Sequence, residues 1–251
     1  MIVIEKLTKN FAETPVLRDL SLTIEGGDFV AVMGPSGSGK STLLYSVSGM
    51  DQISSGRVLF EGRELYGMKE RELAQFRLTK MGFVFQYPQM LKNLSVLDNI
   101  VLPGLVARQE PAAVIRDRGL ALMEEMGIAS LKDRDVREVS GGQLQRASIC
   151  RGLINLPRVL FLDEPTGALN SQVADQVLEI LGRLHQRGMT ILLVTHDPRV
   201  AARAGRVIYL KDGILVASTE FAAGDNREIQ LGQWLMEQGS DAPNSLAGAL
   251  N

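Results

Sequence analysis

Residues 34–42 read GPSGSGKST, with three glycines, one lysine and four hydroxyl side chains in nine positions. Gly34-x-x-x-x-Gly39-Lys40-Ser41 has the spacing of a phosphate-binding loop. Glycines let the backbone curl so that successive N–H groups face an anion, and a following helix adds roughly half a positive charge at its N-terminus. Lys40 is placed to reach the β and γ phosphates, and the Ser41 hydroxyl to meet Mg²⁺. Many chemistries share such a loop, so the reaction must be read elsewhere. Hydrolysis needs a second acid for the metal and a residue that orients or deprotonates water.

VLFLDEPTG (159–167) supplies both. Four apolar residues form a strand that delivers Asp163 to its end as a metal acid, with Glu164 next to it as the base or positioner of water. EVSGGQ (138–143) then repeats the logic of the first loop. Ser140-Gly141-Gly142-Gln143 puts small residues at a helix N-terminus, where free backbone N–H groups can meet an anion. By itself it reads as an ordinary serine cap. Together with the first loop, it suggests a nucleotide clamped between two parts of the fold.

The elements that must position these groups are legible as alternating patterns. IVIEKL (2–7), VLRDLSLTI (16–24), DFVAVMG (28–34), RVLFEG (57–62) and GFVFQ (82–86) read as strands, and KSTLLYSVSG (40–49) as a helix stopped by Gly49. Between about 93 and 155 the pattern turns helical. Ser95 caps a helix that Pro103-Gly104 is predicted to interrupt, and AAVIRDRGLALMEEMG places Val114, Leu120 and Met123 among charges, with Gly127 as a stop. Strand and helix then alternate through VLFLD (159–163), a helix over 170–186, TILLVTH (190–196), GRVIYL and GILVA. Val173, Val177, Ile180, Leu181 and Leu184 make one helical stripe. Uninterrupted apolar strands such as ILLV predict a parallel sheet covered on both faces.

Composition narrows the partners. The 251 residues carry 27 Lys+Arg against 29 Asp+Glu, a net charge of −2 that gives no basic face for nucleic acid. One cysteine, Cys150, allows no disulfide within the chain and fits a reducing location. No stretch approaches the roughly 18 apolar residues of a membrane span, and MIVIEKLTKN is too charged for a signal peptide. The expectation is a soluble protein that docks on something else.

The first loop, Gln86, SGGQ, FLDEP and His196, in that order, together resemble the ATP-binding subunit of an ABC transporter over residues 1–217. The resemblance implies an α/β fold. Its P-loop NTPase (RecA-like) core has a mainly parallel sheet, joined by an N-terminal antiparallel β subdomain and an α-helical signature subdomain at about 93–155. Residues 218–251 would be a C-terminal extension. It also implies two copies packed head to tail, with each ATP between two motifs. One is Gly34, Pro35, Ser36, Gly37, Ser38, Gly39, Lys40, Ser41 and Thr42 of one chain. The other is Ser140, Gly141, Gly142 and Gln143 of its neighbour. By the same resemblance Phe11 stacks on adenine, in place of a more usual tyrosine. Ser41, Gln86 and Asp163 hold Mg²⁺; Glu164, His196 and Gln86 serve the reaction. Val139 replaces the leucine usual before SGGQ, and Asn170 stands where the family generally has aspartate.

With no membrane span expected, such an ATPase works on the cytoplasmic face of the membrane through a separate permease, docked in this family around YPQMLKNLSVLDNI (87–100), where Met90 and Leu91 are expected exposed. GFVFQYPQMLKNLSVLDNIVLP and DEPTGALNS look most like the branch of macrolide export, lipoprotein release and bacitracin-type peptide resistance. The tail REIQLGQWLMEQG (227–239) fits the last, with Ile229, Trp234 and Leu235 as an apolar face for either a partner or its own chain. A division-type regulatory ATPase, signalling through its permease to cell-wall hydrolases, shares this chemistry and stays open. A chromosome-maintenance ATPase would need a long coiled coil between the two anion motifs, where only ordinary helical residues stand.

Overall fold

The structure, a computed structural model, describes residues 1–221 and 227–238. In chain order the elements are β1 (Ile2–Phe11), β2 (Thr14–Ile24), β3 (Phe29–Met33), α1 (Lys40–Val47), β4 (Ser55–Phe60), β5 (Arg63–Glu64), α2 (Glu70–Lys80), β6 (Met81–Phe85) and α3 (Val96–Ala107). They continue as α4 (Ala112–Glu125), α5 (Gly141–Leu153), β7 (Val159–Asp163), α6 (Ser171–Gln186), β8 (Thr190–Val194), α7 (Pro198–Ala201), β9 (Arg206–Lys211), β10 (Ile214–Glu220) and α8 (Arg227–Glu237). Two compact units divide them: Met1–Met68 with the chain from Ile191 onward, and Lys69–Thr190.

The first unit holds an antiparallel sheet in the order β2-β1-β4-β5. Strand alternation puts Ile2 and Ile4 inward, and the register then slips by one residue at Lys6, whose φ is 48°. The slip turns Leu7, and after it Lys9, to the buried face. The same unit holds strands in the order β10-β9-β3-β8. Every residue of β3 is buried, and β3 runs parallel to both β8 and β9, as its unbroken apolar sequence requires. β9 and β10 form an antiparallel hairpin that turns at Asp212 and Gly213, both at positive φ.

The tail helix α8 packs on its own chain. Leu231 and Leu235 are buried, and Trp234 meets the Tyr209 ring edge-on at 6.3 Å between centroids. Arg227 Nη atoms reach the carbonyls of Ala204 and Phe221 at 3.4 Å. Leu231, one turn before Leu235, takes the inward place expected of Ile229, which is only half-buried.

In the second unit β6 and β7 are parallel, with Phe85 opposite Asp163 and the Phe83 and Phe161 rings stacked at 5.4 Å. Helix α5 lies hard against β6: a Cβ on Gly82 would come 2.4 Å from the Gly152 carbonyl oxygen. The pair α3/α4 is equally close, since a Cβ at Gly104 would meet Ile115 at 2.6 Å and one at Gly119 would meet Val101 at 2.6 Å. One expectation is corrected here, and two features go beyond the sequence reading. Helix α3 is not interrupted at Pro103-Gly104 but runs through both, with Gly104 serving the contact with α4. On α4 the inward face is Ile115, Gly119 and Met123, while Val114 is exposed. Helix α2 was not anticipated at all. Ser95 does cap α3, accepting from the Asp98 N–H at 3.1 Å.

Candidate nucleotide site

In the first unit, three features converge on the GPSGSGKST loop. It leaves the C-terminal end of β3 and opens α1 at Lys40, the strand-loop-helix context that aims N–H groups at an anion. Two glycines are compelled. Gly34 has φ 152° and a Cβ there would fall 1.9 Å from the Leu210 carbonyl oxygen; Gly39, with φ 100°, sits against Leu17 and Val16. The loop is therefore moulded by β9 on one side and β2 on the other. The Gly213 N–H of the β9–β10 turn also donates to the Ser38 carbonyl at 3.2 Å. Lys40 Nζ lies over the loop, donating to the Gly34 and Pro35 carbonyls at 2.9 Å each. Ser38 is buried, only 3% exposed, and its Oγ has no hydrogen-bond partner among the described residues, an orphan that a phosphate oxygen would satisfy.

His196 follows β8, whose Val194 pairs with Val32 of β3, so parallel pairing carries His196 and the loop out of the same strand ends. His196 is exposed, and Asp197 behind it caps α7 through the Arg199 N–H at 2.9 Å. Phe11 ends β1 at the hairpin tip opposite Thr14 and is 50% exposed, so it is not a core residue. The partner strand of that hairpin carries Val16 and Leu17, the residues that touch Gly39.

The second unit gathers the remaining groups in a chain of contacts. Asp163 closes β7, is 9% exposed and stands opposite Phe85, the residue before Gln86. Glu164 takes a left-handed φ of 47° immediately after the strand, a conformation that costs about 1 kcal/mol or more in a non-glycine residue. Its carbonyl accepts from the Gly167 N–H at 3.0 Å, closing the DEPTG turn. A Cβ on Gly167 would fall 2.9 Å from Gln86 Nε2, so the glutamine amide packs directly on that turn. Farther along, Asn170 caps α6 by accepting from the Val173 N–H at 3.0 Å, and a Cβ on Gly142 would meet Val173 at 2.2 Å. Gln86, the 164–167 turn, the α6 cap and the SGGQ turn are thus continuous.

Ser140 begins α5 as one half of a capping box: its hydroxyl accepts from the Gln143 N–H, and the Gln143 side chain accepts from the Ser140 N–H at 3.0 Å. Ser140 and Gly141 are both exposed, so the helix N-terminus is presented to solvent while Gly142 is buried against α6. In the 87–100 segment, Tyr87 and Leu91 are 65% and 52% exposed, whereas Met90 is half-buried. Cys150, inside α5, has its thiol pushed up to about 12 by burial.

Two residues that sequence reasoning passed over bear on the site. Gln145, fully buried, donates from Nε2 to the Phe85 carbonyl at 3.1 Å and so ties α5 to the strand end before Gln86. Lys9 is buried beneath Phe11, with Nζ 4.5 Å from the ring centroid. The signal for Lys9 was its parity with Leu7 once the β1 register slips; for Gln145 no sequence signal separates it from a surface residue.

The moulded loop between a buried parallel strand and a helix defines a P-loop nucleotide-binding α/β protein. Comparison with known proteins specifies it further. Residues 17–167 match the ABC transporter family model. The bacitracin export ATP-binding protein BceA of Halalkalibacterium halodurans is 43% identical over 211 residues, 84% of this chain and 82% of that protein. The macrolide export ATP-binding/permease protein MacB of Rhodopseudomonas palustris is 47% identical over 206 residues, 82% of this chain but 31% of that protein. The chain spans about a third of the length of the macrolide-export relatives it matches. Among solved structures, a dimeric ATP-binding cassette in a post-hydrolysis state with ADP and Pi is similar at TM-score 0.82 and 32% identity, covering 89% of this chain and all of that one. The chain belongs to the ABC transporter family.

Proposed function

We propose that this chain is the ATP-driven subunit of a membrane complex, working as a head-to-tail pair that closes on ATP and reopens after hydrolysis, in the service of antimicrobial-peptide or antibiotic resistance or export. The observation that carries the pairing is the exposed, capped N-terminus of α5: Ser140 and Gly141 offer an anion site to solvent in a chain that already owns a phosphate loop. In this reading Gly34, Pro35, Ser36, Gly37, Ser38, Gly39, Lys40, Ser41 and Thr42 hold the triphosphate of one ATP. Ser140, Gly141, Gly142 and Gln143 of the second copy close over it, and Phe11 carries the base.

Mg²⁺ suits the donors assigned to it. The Ser41 hydroxyl, the Gln86 amide oxygen and the Asp163 carboxylate are hard oxygen ligands, too few for a closed cage, which is how this ion is held when phosphates complete its shell. Among the described residues no group of three or more His, Cys, Asp and Glu side chains forms a self-sufficient metal site. When bound, the ion would neutralise charge building on the phosphates. Glu164 orients and deprotonates the attacking water, with its strained backbone fixing the carboxylate's origin. Gln86 tracks the state of the site from the turn it packs on, and His196 donates to the γ-phosphate. The permease docks around 87–100, where Tyr87 and Leu91 are exposed, and holds the pair at the cytoplasmic face of the membrane. The names of the bacitracin and macrolide relatives support the resistance and export setting.

The test is Glu164→Gln. This variant should bind MgATP, lose turnover and accumulate as an ATP-bound dimer by light scattering, whereas adding Ser140→Arg should return it to the monomer. Turnover at the natural rate in Glu164→Gln would remove Glu164 from its role, and a dimer indifferent to Ser140→Arg would remove the proposed pairing.

A further inference from the structure

Lys9 is an unusual residue for its place. It lies on the inward face of β1, 6% exposed, in line with Leu7. Its ammonium donates to Asp51 Oδ1 at 2.8 Å and to the Gln52 carbonyl at 2.6 Å. The segment that anchors it is itself pinned, because the Tyr66 hydroxyl donates to the Asp51 carbonyl at 2.7 Å. Two residues farther along the same strand face is Phe11, with Lys9 Nζ 4.5 Å from its ring centroid. Phe11 is 50% exposed, so one of its faces is taken by a fixed cation and the ring remains open to solvent elsewhere.

A buried lysine is expensive, and a solvent-exposed phenylalanine is seldom worth a buried charge as mere support. The pair makes sense as a platform. A cation on one face draws π density toward itself and lowers the negative potential on the opposite face. An electron-rich ring system stacking on that opposite face then meets less repulsion, and the gain grows with the size of the overlapping base. The anchoring of Nζ by two oxygens also holds the Phe11 ring in one orientation before any ligand arrives, so less ordering remains to be done on binding.

We infer that Lys9 is a positioning and specificity-determining residue for the nucleotide: it charges the underside of Phe11 and so strengthens stacking of a purine over a pyrimidine base. The inference deepens the assignment of Phe11 as the base platform and rests on it. Lys9 does not touch the nucleotide; it acts through the ring.

The experiment is a double-mutant cycle on the full chain, reading equilibrium affinity for non-hydrolysable ATP and CTP analogues alongside thermal midpoint and kcat at saturating ATP. Lys9→Met is combined with Asp51→Asn so that no carboxylate is left without its cation. Lys9→Gln alone, one bond shorter and uncharged but still carrying N–H donors on that side of the strand, gives the same reading if the paired substitution does not fold. In the natural Phe11 background, either change should weaken ATP-analogue binding roughly threefold to tenfold. CTP-analogue binding should weaken less, and kcat should stay unchanged. In a Phe11→Leu background, the Lys9 changes should have no further effect on affinity. If the Lys9 changes lower the thermal midpoint but leave the ATP-to-CTP preference alone, or act equally in both backgrounds, Lys9 is only a tie in the fold and the inference fails. If Phe11→Leu itself leaves affinity unchanged, the platform assignment fails, and this inference with it.

Discussion

Asn170 shows how a single side chain can keep one duty while losing another. Its amide oxygen caps α6 by accepting the Val173 N–H at 3.0 Å, a role asparagine and aspartate fill about equally well. What asparagine lacks is the negative charge that favours a helix N-terminus. Asn170→Asp should therefore raise stability by about 0.3–1 kcal/mol, and Asn170→Ala should lower it by about 1 kcal/mol, both read from chemical denaturation. Measuring turnover of the aspartate variant beside this separates the cap from any role across the pair: a large rate change with intact folding belongs to the latter. Cys150 makes the opposite point, a reactive group disarmed by place. Burial pushes its thiol up to about 12, against an ordinary value near 9. The folded protein thus favours the neutral thiol. That preference is fully present below the unfolded-state value and is lost as pH rises from there toward 12. Native protein at pH 8 should resist alkylation by iodoacetamide, counted by intact mass, while denatured protein takes up one label.

At the scale of elements, the decisive contact in the second unit is the crossing of the first turns of α5 and α6. Gly142 leaves room for Val173, and a methyl group there would sit 2.2 Å from Val173 Cγ1. Gly142→Ala should destabilise the protein by about 1–3 kcal/mol and lower turnover by moving Ser140, and Val173→Ala should restore part of both. Denaturation midpoints and steady-state rates of the four proteins test this. The same elements show what sequence patterns disclose. Strands β3, β7 and β8 were legible because buried parallel strands read as unbroken apolar runs, and the stripe on α6 largely holds, with Val177, Ile180, Leu181 and Leu184 buried and Val173 half-buried against Gly142. Helix α2 was missed because ERELAQFRLTK places only Leu73, Phe76 and Thr79 inward among charges, too sparse a stripe to register. The break at Pro103 was wrongly expected because the sequence cannot show that its neighbour Gly104 is there for Ile115. For the site, spacing singled out the loop and the two acids as candidates, whereas the SGGQ turn read as an ordinary serine cap until it was taken together with the other motifs. Lys9 and Gln145 stayed hidden because a buried polar residue declares itself only through its partners.

For the molecule as a whole, the tail is part of the fold rather than an appendage. Leu231 and Leu235 are buried and Trp234 meets Tyr209 of β9, so Leu235→Ala should cost about 2–5 kcal/mol in denaturation, and the single tryptophan should report it as an earlier red shift. An unchanged midpoint would mean the helix is not docked in solution. The mould around the phosphate loop reaches further. Gly34 is shaped by the Leu210 carbonyl, Ser38 is held by the Gly213 N–H, and the central strand β3 takes both of its parallel neighbours from residues beyond 189. During synthesis, then, the GPSGSGKST segment leaves the ribosome long before anything exists to give it form. Pairings so distant along a chain close late, and a nascent polypeptide ending short of the β9–β10 turn should have no competent grip on nucleotide. The phosphate loop is armed only once synthesis has passed the β9–β10 turn.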